Sequence, residues 1–151
     1  LVKSPRIYDS DGIYTKKSQL GLVVQTADCM PILMSDKKRI GAIHSGWRGL
    51  KNNIVQKAIK KFDVNQLFIS IGPHAQSCCY EIKDDVKNHF IDYTEFREGN
   101  LYLNMSQILI DLSIKINFKI EVSPICTICN NSYNSYRENR TSDRQFGIIW
   151  R

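Results

Sequence analysis

The first half of the chain consists of short apolar runs that stop at turn-forming residues, and this alternation constrains the fold more than any other feature. The runs are Leu20–Val24, Pro31–Met34 and Ile40–Ile43. The segment Thr26-Ala27-Asp28 separates the first run from the second, and the charged segment 35–39 separates the second run from the third. Apolar runs of this length between turn signals predict buried strands. Pro31 lacks an N–H donor, so we expect it at the first position of its strand or on a sheet edge.

Later segments show both helical and strand-like spacing. Apolar residues recur every three to four positions between Ile54 and Phe62, which predicts a helix beginning just after Gly49. Further predicted helices are 84–93 and one from the cap residue Asn104 to Ile116, and further predicted strands are 67–71, 119–123 and 146–150. The polar stretch 130–144 is predicted to be a loop. The alternation indicates an α/β (mixed α+β) fold, one domain spanning 1–151 with a mixed sheet and flanking helices.

Composition excludes several classes of protein. With 151 residues, of which 42% are hydrophobic, the chain can bury a core and is not disordered by composition. No apolar run approaches the roughly 18 to 20 residues that cross a membrane, so we expect no membrane partner. The start lacks the pattern of a secretory signal, and it also lacks Met, from which we expect a fragment or trimmed chain.

The net charge of +6 has two interpretations, a solvated surface or attraction of an anion such as phosphate. We recognise no nucleic-acid-binding module, so nucleic acid is not an expected partner. The five cysteines are odd in number and do not have the spacing of a disulfide scaffold, which favours a reducing, cytoplasmic location.

Cys29 and His44 each stand where an apolar strand gives way to a turn. Because neighbouring strand ends come close in a sheet, the two side chains can converge. A thiolate and an imidazole are both good zinc ligands, and they can equally act as nucleophile and base. The third interpretation is a buried structural cysteine beside an unrelated histidine.

Arg48 lies between two glycines, Gly46 and Gly49, at the predicted start of a helix. This arrangement favours an anion, with free N–H groups after Gly49 and a bidentate contact from Arg48; a surface salt bridge is the alternative for Arg48. Trp47 is predicted to be a core anchor rather than a stacking ligand.

Two other groups of residues have weaker signals. Cys126 and Cys129 have the spacing of half a zinc site or a redox pair, and Cys78 and Cys79 are adjacent; we interpret both pairs as structural. The polar loop carries several arginines that can either face solvent or close over an anionic substrate. They are Arg137, Arg140 and Arg144.

Four motifs, in this order, together resemble one family: "TADCMPIL", "HSGWRGL", "IGPHAQSCCYEI" and "NSYRENRTSDRQFGIIW". It is the laccase-domain family of multicopper-polyphenol-oxidase type, which is now understood as zinc-dependent purine nucleoside phosphorylases. The resemblance covers nearly the whole chain and implies that family's fold.

The resemblance also implies an activity. Members cleave adenosine, inosine, guanosine and methylthioadenosine with phosphate, giving the free base and ribose 1-phosphate, and they deaminate adenosine. The implied cofactor is Zn²⁺, with Cu²⁺ as an alternative, and the implied partners are a purine nucleoside and phosphate. Monomer and homodimer both remain open.

By resemblance, Cys29 of "TADC" and His44 of "HSGWRG" are metal ligands. The family's third ligand is a histidine in an upstream "HG" motif, which has no counterpart here; His74 and His89 do not match it. We therefore expect that an N-terminal segment is missing. The hypothesis for catalysis assigns Cys29, His44, Asp28 and Arg48, with Arg48, Gly49 and Arg137 binding substrate or phosphate. For Asp28 a purely turn-stabilising role is the alternative.

Four other functions remain open at this point. They are a cysteine hydrolase with Cys29 as nucleophile and His44 as base, a relative that edits peptidoglycan precursors, a degenerate binding domain and a basic nucleic-acid binder. Only the charge supports the last.

Overall fold

The computed structural model describes residues 6–151; the first five residues of the domain predicted over 1–151 lie outside the described part. Residues 6–151 form ten strands and five helices in chain order. The strands are Gly12–Thr15 (β1), Gly21–Thr26 (β2), Met30–Ser35 (β3), Ile40–Ser45 (β4), Phe68–Ile71 (β5), Glu81–Ile82 (β6), Thr94–Arg97 (β7), Asn100–Leu103 (β8), Lys119–Val122 (β9) and Gln145–Trp150 (β10). The helices are Trp47–Lys51 (α1), Ile54–Ile59 (α2), Asp84–Lys87 (α3), Met105–Ile116 (α4) and Tyr136–Asn139 (α5), with 3₁₀ turns at Val64–Gln66 and Ile91–Tyr93.

The main sheet has five strands in the order β1-β4-β3-β5-β9. All its pairs are antiparallel except β5 with β9, which are parallel, so the sheet is mixed as the sequence predicts. Two smaller sheets accompany it, the pair β10-β2 and the three strands β6-β8-β7. The mixed α+β fold class is therefore confirmed.

One large apolar cluster lies between the main sheet and the helices. Ile32, Ile69, Val55 and Leu109 are among its members, with exposed fractions of 0%. These side chains come from the central strands, from α2 and from α4, so the core fixes the helices against one face of the sheet. A smaller cluster around Leu22, Val24, Ile40 and Ala42 lies under the β10-β2 pair.

The strands predicted from short apolar runs are all present, but Pro31 is not where we predicted it. Pro31 is the second residue of β3, a central strand, and pairs with His44. The ladder with β5 begins one residue later, at Ile32 opposite Ile71, so the missing N–H of Pro31 removes no bond to β5. Its carbonyl accepts a hydrogen bond from the N–H of Gly72 at 3.0 Å.

Two segment predictions are wrong in part. The helix predicted over 84–93 is only Asp84–Lys87, because Phe90 adopts φ −143° and a separate 3₁₀ turn follows. The predicted loop 130–144 contains a short helix, α5, whose first turn is capped by Ser135. Within residues 6–151 no helix is long and apolar enough to span a bilayer.

Candidate active site

Strand register brings Cys29 and His44 to one end of the main sheet. β3 and β4 are antiparallel, with Met30 opposite Ser45 and Pro31 opposite His44. Cys29 directly precedes β3, so it lies beside Gly46, which directly follows β4. A Cβ placed on Gly46 would stand 2.7 Å from Cys29 Sγ. Glycine at this position therefore leaves room for the sulfur to face His44.

His44 is held from both sides. Its Nδ1 lies 3.0 Å from Asp11 Oδ1, and its backbone N–H donates to the Asp11 carbonyl at 2.8 Å. A hydrogen bond with the Cys29 side chain raises the pKa of His44 to about 9, with a smaller contribution from Asp11 and against the opposing effect of burial. With Nδ1 directed to a carboxylate, Nε2 is left for another partner, which is how metal-binding histidines are commonly oriented.

Asp28 is close to the cysteine but is already fully engaged. Its Oδ1 accepts a hydrogen bond from Thr127 Oγ1 at 2.9 Å, and its Oδ2 accepts one from the Arg137 N–H at 2.7 Å. The residue is 5% exposed and has φ 83°, a left-handed conformation that is costly for a residue with a Cβ. This geometry supports a positioning role for Asp28 rather than the catalytic role in the hypothesis from sequence.

An open cleft of about 660 Å³ surrounds these groups. Its walls carry cationic and aromatic side chains: Arg48, Arg137, Arg140, Trp47, Tyr80 and Tyr136. Each guanidinium lies over a ring, Arg48 over Trp47 at 4.4 Å, Arg137 over Tyr80 at 4.4 Å and Arg140 over Tyr136 at 5.2 Å. Positive charge and flat π faces thus line a cleft whose floor holds a thiol and an imidazole.

The short helix α1 changes the role expected for Gly49. α1 begins at Trp47 rather than after Gly49, and at five residues it is too short to provide a strong anion site at its N-terminus. A Cβ on Gly49 would lie 2.7 Å from Ser45 Oγ, so glycine is required there by packing of α1 on β4. Gly49 lines the cleft, but the described contacts assign it no phosphate.

The structure separates the three loop arginines. Arg137 and Arg140 border the cleft, and Arg137 also donates through its guanidinium to the Glu81 carbonyl. Arg144 instead donates to the carbonyls of Thr141 and Asp143 within its own loop. Trp47 packs against the apolar core, as predicted, and it also borders the cleft.

A zinc or copper ion at Cys29 and His44 is compatible with the residues present. Thiol and imidazole are suitable donors, Gly46 leaves space at the sulfur, and the cleft is open to solvent. Within residues 6–151, no group of three or more potential ligands includes Cys29 or His44. These two residues could therefore supply two ligands of a three-ligand catalytic site.

Two contributors to the cleft and one grouping of cysteines were not predicted from the sequence. Asp11 reaches His44 because β1 pairs with β4, and no local sequence pattern predicts that pairing. Tyr80 is buried, with an exposed fraction of 5%, and it follows Cys79 directly. The four remaining cysteines, Cys78, Cys79, Cys126 and Cys129, converge in a separate group that could hold a metal ion.

The pKa values of Cys78, Cys79 and Cys126 do not all shift in the same direction. Burial raises the pKa of Cys78 to about 11 and raises that of Cys79 further. For Cys126 burial also acts upward, but hydrogen bonds from the backbone N–H groups of Gln76, Cys129 and Ile128 outweigh it and lower the pKa to about 7.

A second cavity, of about 220 Å³, lies under α2 and is lined largely by apolar side chains such as Met34, Ile43 and Phe62. It contains neither cysteine nor histidine, so the cleft at Cys29 is the better candidate for chemistry.

Comparison with known proteins gives a consistent family. Residues 2–151 match the family model described as multi-copper polyphenol oxidoreductase laccase. A purine nucleoside phosphorylase of Aquifex aeolicus is 33% identical over 145 residues, covering 93% of this chain and 70% of the relative. A protein of the same name from Borreliella burgdorferi is 34% identical over 159 residues, covering 95% and 69%.

A solved structure shares the fold. The crystal structure of a Neisseria meningitidis protein of family DUF152 superposes with a TM-score of 0.86 at 23% identity, over 94% of this chain. This chain spans 64% of that protein's length.

Proposed function

The chain belongs to the multi-copper polyphenol oxidoreductase laccase family, and from that membership and the cleft at Cys29 we propose that it is a purine nucleoside phosphorylase. In this reaction phosphate cleaves the glycosidic bond of a purine nucleoside, and the products are the free base and ribose 1-phosphate. We further propose that the same site hydrolytically deaminates adenosine, in which adenosine and water give inosine and ammonia. The observation that carries the proposal is the convergence of Cys29 and His44 on the floor of an arginine-lined cleft.

The residues of the cleft suit the two substrates. Exposed Arg48, Arg137 and Arg140 provide guanidinium groups that can bind the oxygens of phosphate in bidentate fashion. Trp47, Tyr80 and Tyr136 provide ring faces on which a purine can stack. Because the guanidinium groups already lie over those rings, binding of phosphate and base would exchange cation–π contacts for contacts with substrate.

Phosphorolysis has three requirements. Phosphate must be held beside the anomeric carbon as the glycosidic bond breaks, the departing purine must receive a proton on nitrogen, and both partners must be aligned. We assign the holding of phosphate to the arginines and the alignment to the aromatic walls, and solvent in the open cleft supplies the proton to the purine nitrogen. Asp28 acts indirectly, since its carboxylate fixes the backbone of Arg137 beside Cys29.

Cys29 and His44 would hold a zinc ion, with Asp11 orienting the imidazole. Zinc, when bound, would supply a Lewis acid that polarises a coordinated oxygen. A monomer, or a homodimer of this chain, is compatible with the proposal.

Replacement of the thiol tests the site. We expect Cys29→Ala, made in the full-length protein, to lose phosphate-dependent release of base from adenosine by at least about 100-fold, as expected when a group at the reacting centre is removed. Cys129→Ala is an unsuitable control because it belongs to the other cysteine group, so Lys61→Ala on the outside of the fold serves instead. Unchanged activity of Cys29→Ala would reject this site.

A cysteine hydrolase is a second candidate, favoured by one observation. Cys29, His44 and Asp11 stand in the order of nucleophile, base and orienting carboxylate, and the neighbouring Cys29 thiol raises the pKa of His44. Chelator-treated protein that hydrolyses an ester or amide substrate, and that iodoacetamide inactivates through Cys29, would favour the hydrolase over the phosphorylase.

A further inference from the structure

Four cysteines outside the cleft converge from two distant loops. Cys78 and Cys79 come from the loop before β6, and Cys126 and Cys129 come from the loop after β9. The four Sγ atoms all lie within 4.8 Å of one another, and Cys78 Sγ is 3.9 Å from Cys129 Sγ. We call these residues the four-cysteine cluster.

Backbone hydrogen bonds hold the two loops together at the cluster. The N–H of His74 donates to the Ile125 carbonyl at 3.3 Å, and the N–H of Thr127 donates to the His74 carbonyl at 3.1 Å. The backbone N–H of Gln76 points at Cys126 Sγ at 3.4 Å. The convergence of the thiols therefore follows from the packing of two loops and does not depend on one flexible side chain.

The spacing of the sulfurs fits a single metal ion. Zinc binds thiolates at about 2.3 Å in a tetrahedron, which places the sulfurs about 3.8 Å apart. The distance between Cys78 Sγ and Cys129 Sγ, 3.9 Å, is close to this value, and all four sulfurs lie within 4.8 Å of one another, so small rotations of the side chains would complete the tetrahedron. A cluster of several iron atoms would hold its thiolates further apart.

We propose that the four-cysteine cluster is a structural zinc site, independent of the cleft. Four protein thiolates leave no open position for substrate, which is the usual composition of a structural site. Binding is a ligand exchange in which the thiols release their protons to solvent, so it needs no oxidant. Cys78 and Cys129 are exposed, which gives the ion a path of entry.

The site would stabilise the loops that support the cleft. Thr127 lies between the two cysteines of the second loop, and its hydroxyl bonds the carboxylate of Asp28, the neighbour of Cys29. Cys79 is followed directly by Tyr80, which lines the cleft. A zinc ion that fastens the two loops would therefore hold Asp28 and Tyr80 in register.

Metal content in a Cys29→Ala background tests the proposal without reference to any activity. This substitution removes a ligand from the cleft and leaves the cluster intact. We expect the full-length Cys29→Ala protein, purified under reducing conditions and supplied with Zn²⁺, to retain one zinc per chain by elemental analysis. We expect Cys29→Ala/Cys78→Ser/Cys129→Ser to retain none, with a lower unfolding temperature.

Measurements on the Cys29→Ala protein alone keep the proposal testable if the triple variant fails to fold. Co²⁺ replacing Zn²⁺ should give the intense d–d and thiolate charge-transfer bands of a tetrahedral tetrathiolate ion. The four cluster thiols should resist alkylation until a chelator is added. Zinc-free protein with freely alkylated thiols, disulfides found by mass spectrometry, or iron in place of zinc would each overturn the proposal.

Discussion

Gly46 is the residue on which the geometry of the cleft depends most closely. A Cβ there would stand 2.7 Å from Cys29 Sγ, and the backbone φ of −92° is open to any residue, so the effect of a methyl group is purely steric. We expect Gly46→Ala to displace the thiol and to lower nucleoside cleavage by about 10- to 100-fold. Gly21→Ala is the matched control, since its Cβ meets no atom closer than 3.9 Å. Equal rates for the two variants would contradict this assignment.

Asp28 provides a second test at the residue scale. Asp28→Asn tolerates the positive φ, but its amide group would replace one of two oxygens that accept hydrogen bonds from Thr127 and Arg137. A buried bond lost in this way costs about 1–3 kcal/mol of unfolding free energy. Urea denaturation of the two proteins measures the difference, and a stability equal to that of the unchanged chain would show that the two bonds are dispensable.

His74 makes the unfolding free energy depend on pH. It is fully buried, and burial lowers its pKa from 6.5, partly offset by the hydrogen bond between Nδ1 and the Gly72 carbonyl. Below pH 6.5 the unfolded chain therefore binds a proton that the folded chain refuses. We expect stability to fall as the pH drops from 6.5 towards the folded pKa, by up to about 1.4 kcal/mol per pH unit.

Chemical denaturation across this pH range, with and without His74→Gln, measures that contribution. The variant should lose the extra slope, whereas the same change at the exposed His89 should keep it. Parallel curves for the unchanged chain and His74→Gln would rule out the account given for His74.

Individual residues were predictable from sequence where chemistry and strand ends coincide. Cys29 and His44 could be found because each follows or ends an apolar run. Asp11 could not, because its contact with His44 arises from pairing of β1 with β4 across 33 positions. The four-cysteine cluster was hidden for the same reason, since each pair is weak evidence until the fold brings the two together.

At the scale of elements, the start of α4 is both predicted and testable. Asn104 was expected to cap this helix, and its side chain does accept a hydrogen bond from the Gln107 N–H at 3.1 Å. We expect Asn104→Ala to lower the unfolding free energy by about 0.5–2 kcal/mol. Asn104→Asp retains an acceptor oxygen and should restore most of the loss in thermal or urea unfolding; an equal loss in both variants would contradict a capping role.

The elements missed from sequence lie where burial is slight. β7 lies on the surface, and three of its four residues are exposed. It therefore lacks the alternation of apolar and polar residues that predicts a strand. The turn joining it to β8 is a two-residue hairpin turn in which Glu98 and Gly99 both adopt positive φ. The prediction for α3 was too long because the apolar spacing of Val86 and Phe90 continues past the residue at which the helix ends.

At the scale of the whole molecule, the pair of loops that forms the four-cysteine cluster also supports the cleft. The cleft contains Cys29 and His44, and the four-cysteine cluster is formed by the two loops that also carry Tyr80 and Thr127. The mixed sheet and its helices were predictable from periodicity, because strands and helices bury faces with different repeats. The convergence of loops distant in sequence was not, because it depends on long-range pairing such as β5 with β9.

We propose that the Cys29 cleft transfers a ribosyl group from a purine base to phosphate. The most direct measurement is the stoichiometry of products when the full-length protein acts on adenosine with and without phosphate. We predict adenine and ribose 1-phosphate in a one-to-one ratio that requires phosphate, together with inosine formed in either condition, and loss of all three products in Cys29→Ala. Adenine released without phosphate, or no product from zinc-loaded protein, would contradict the claim.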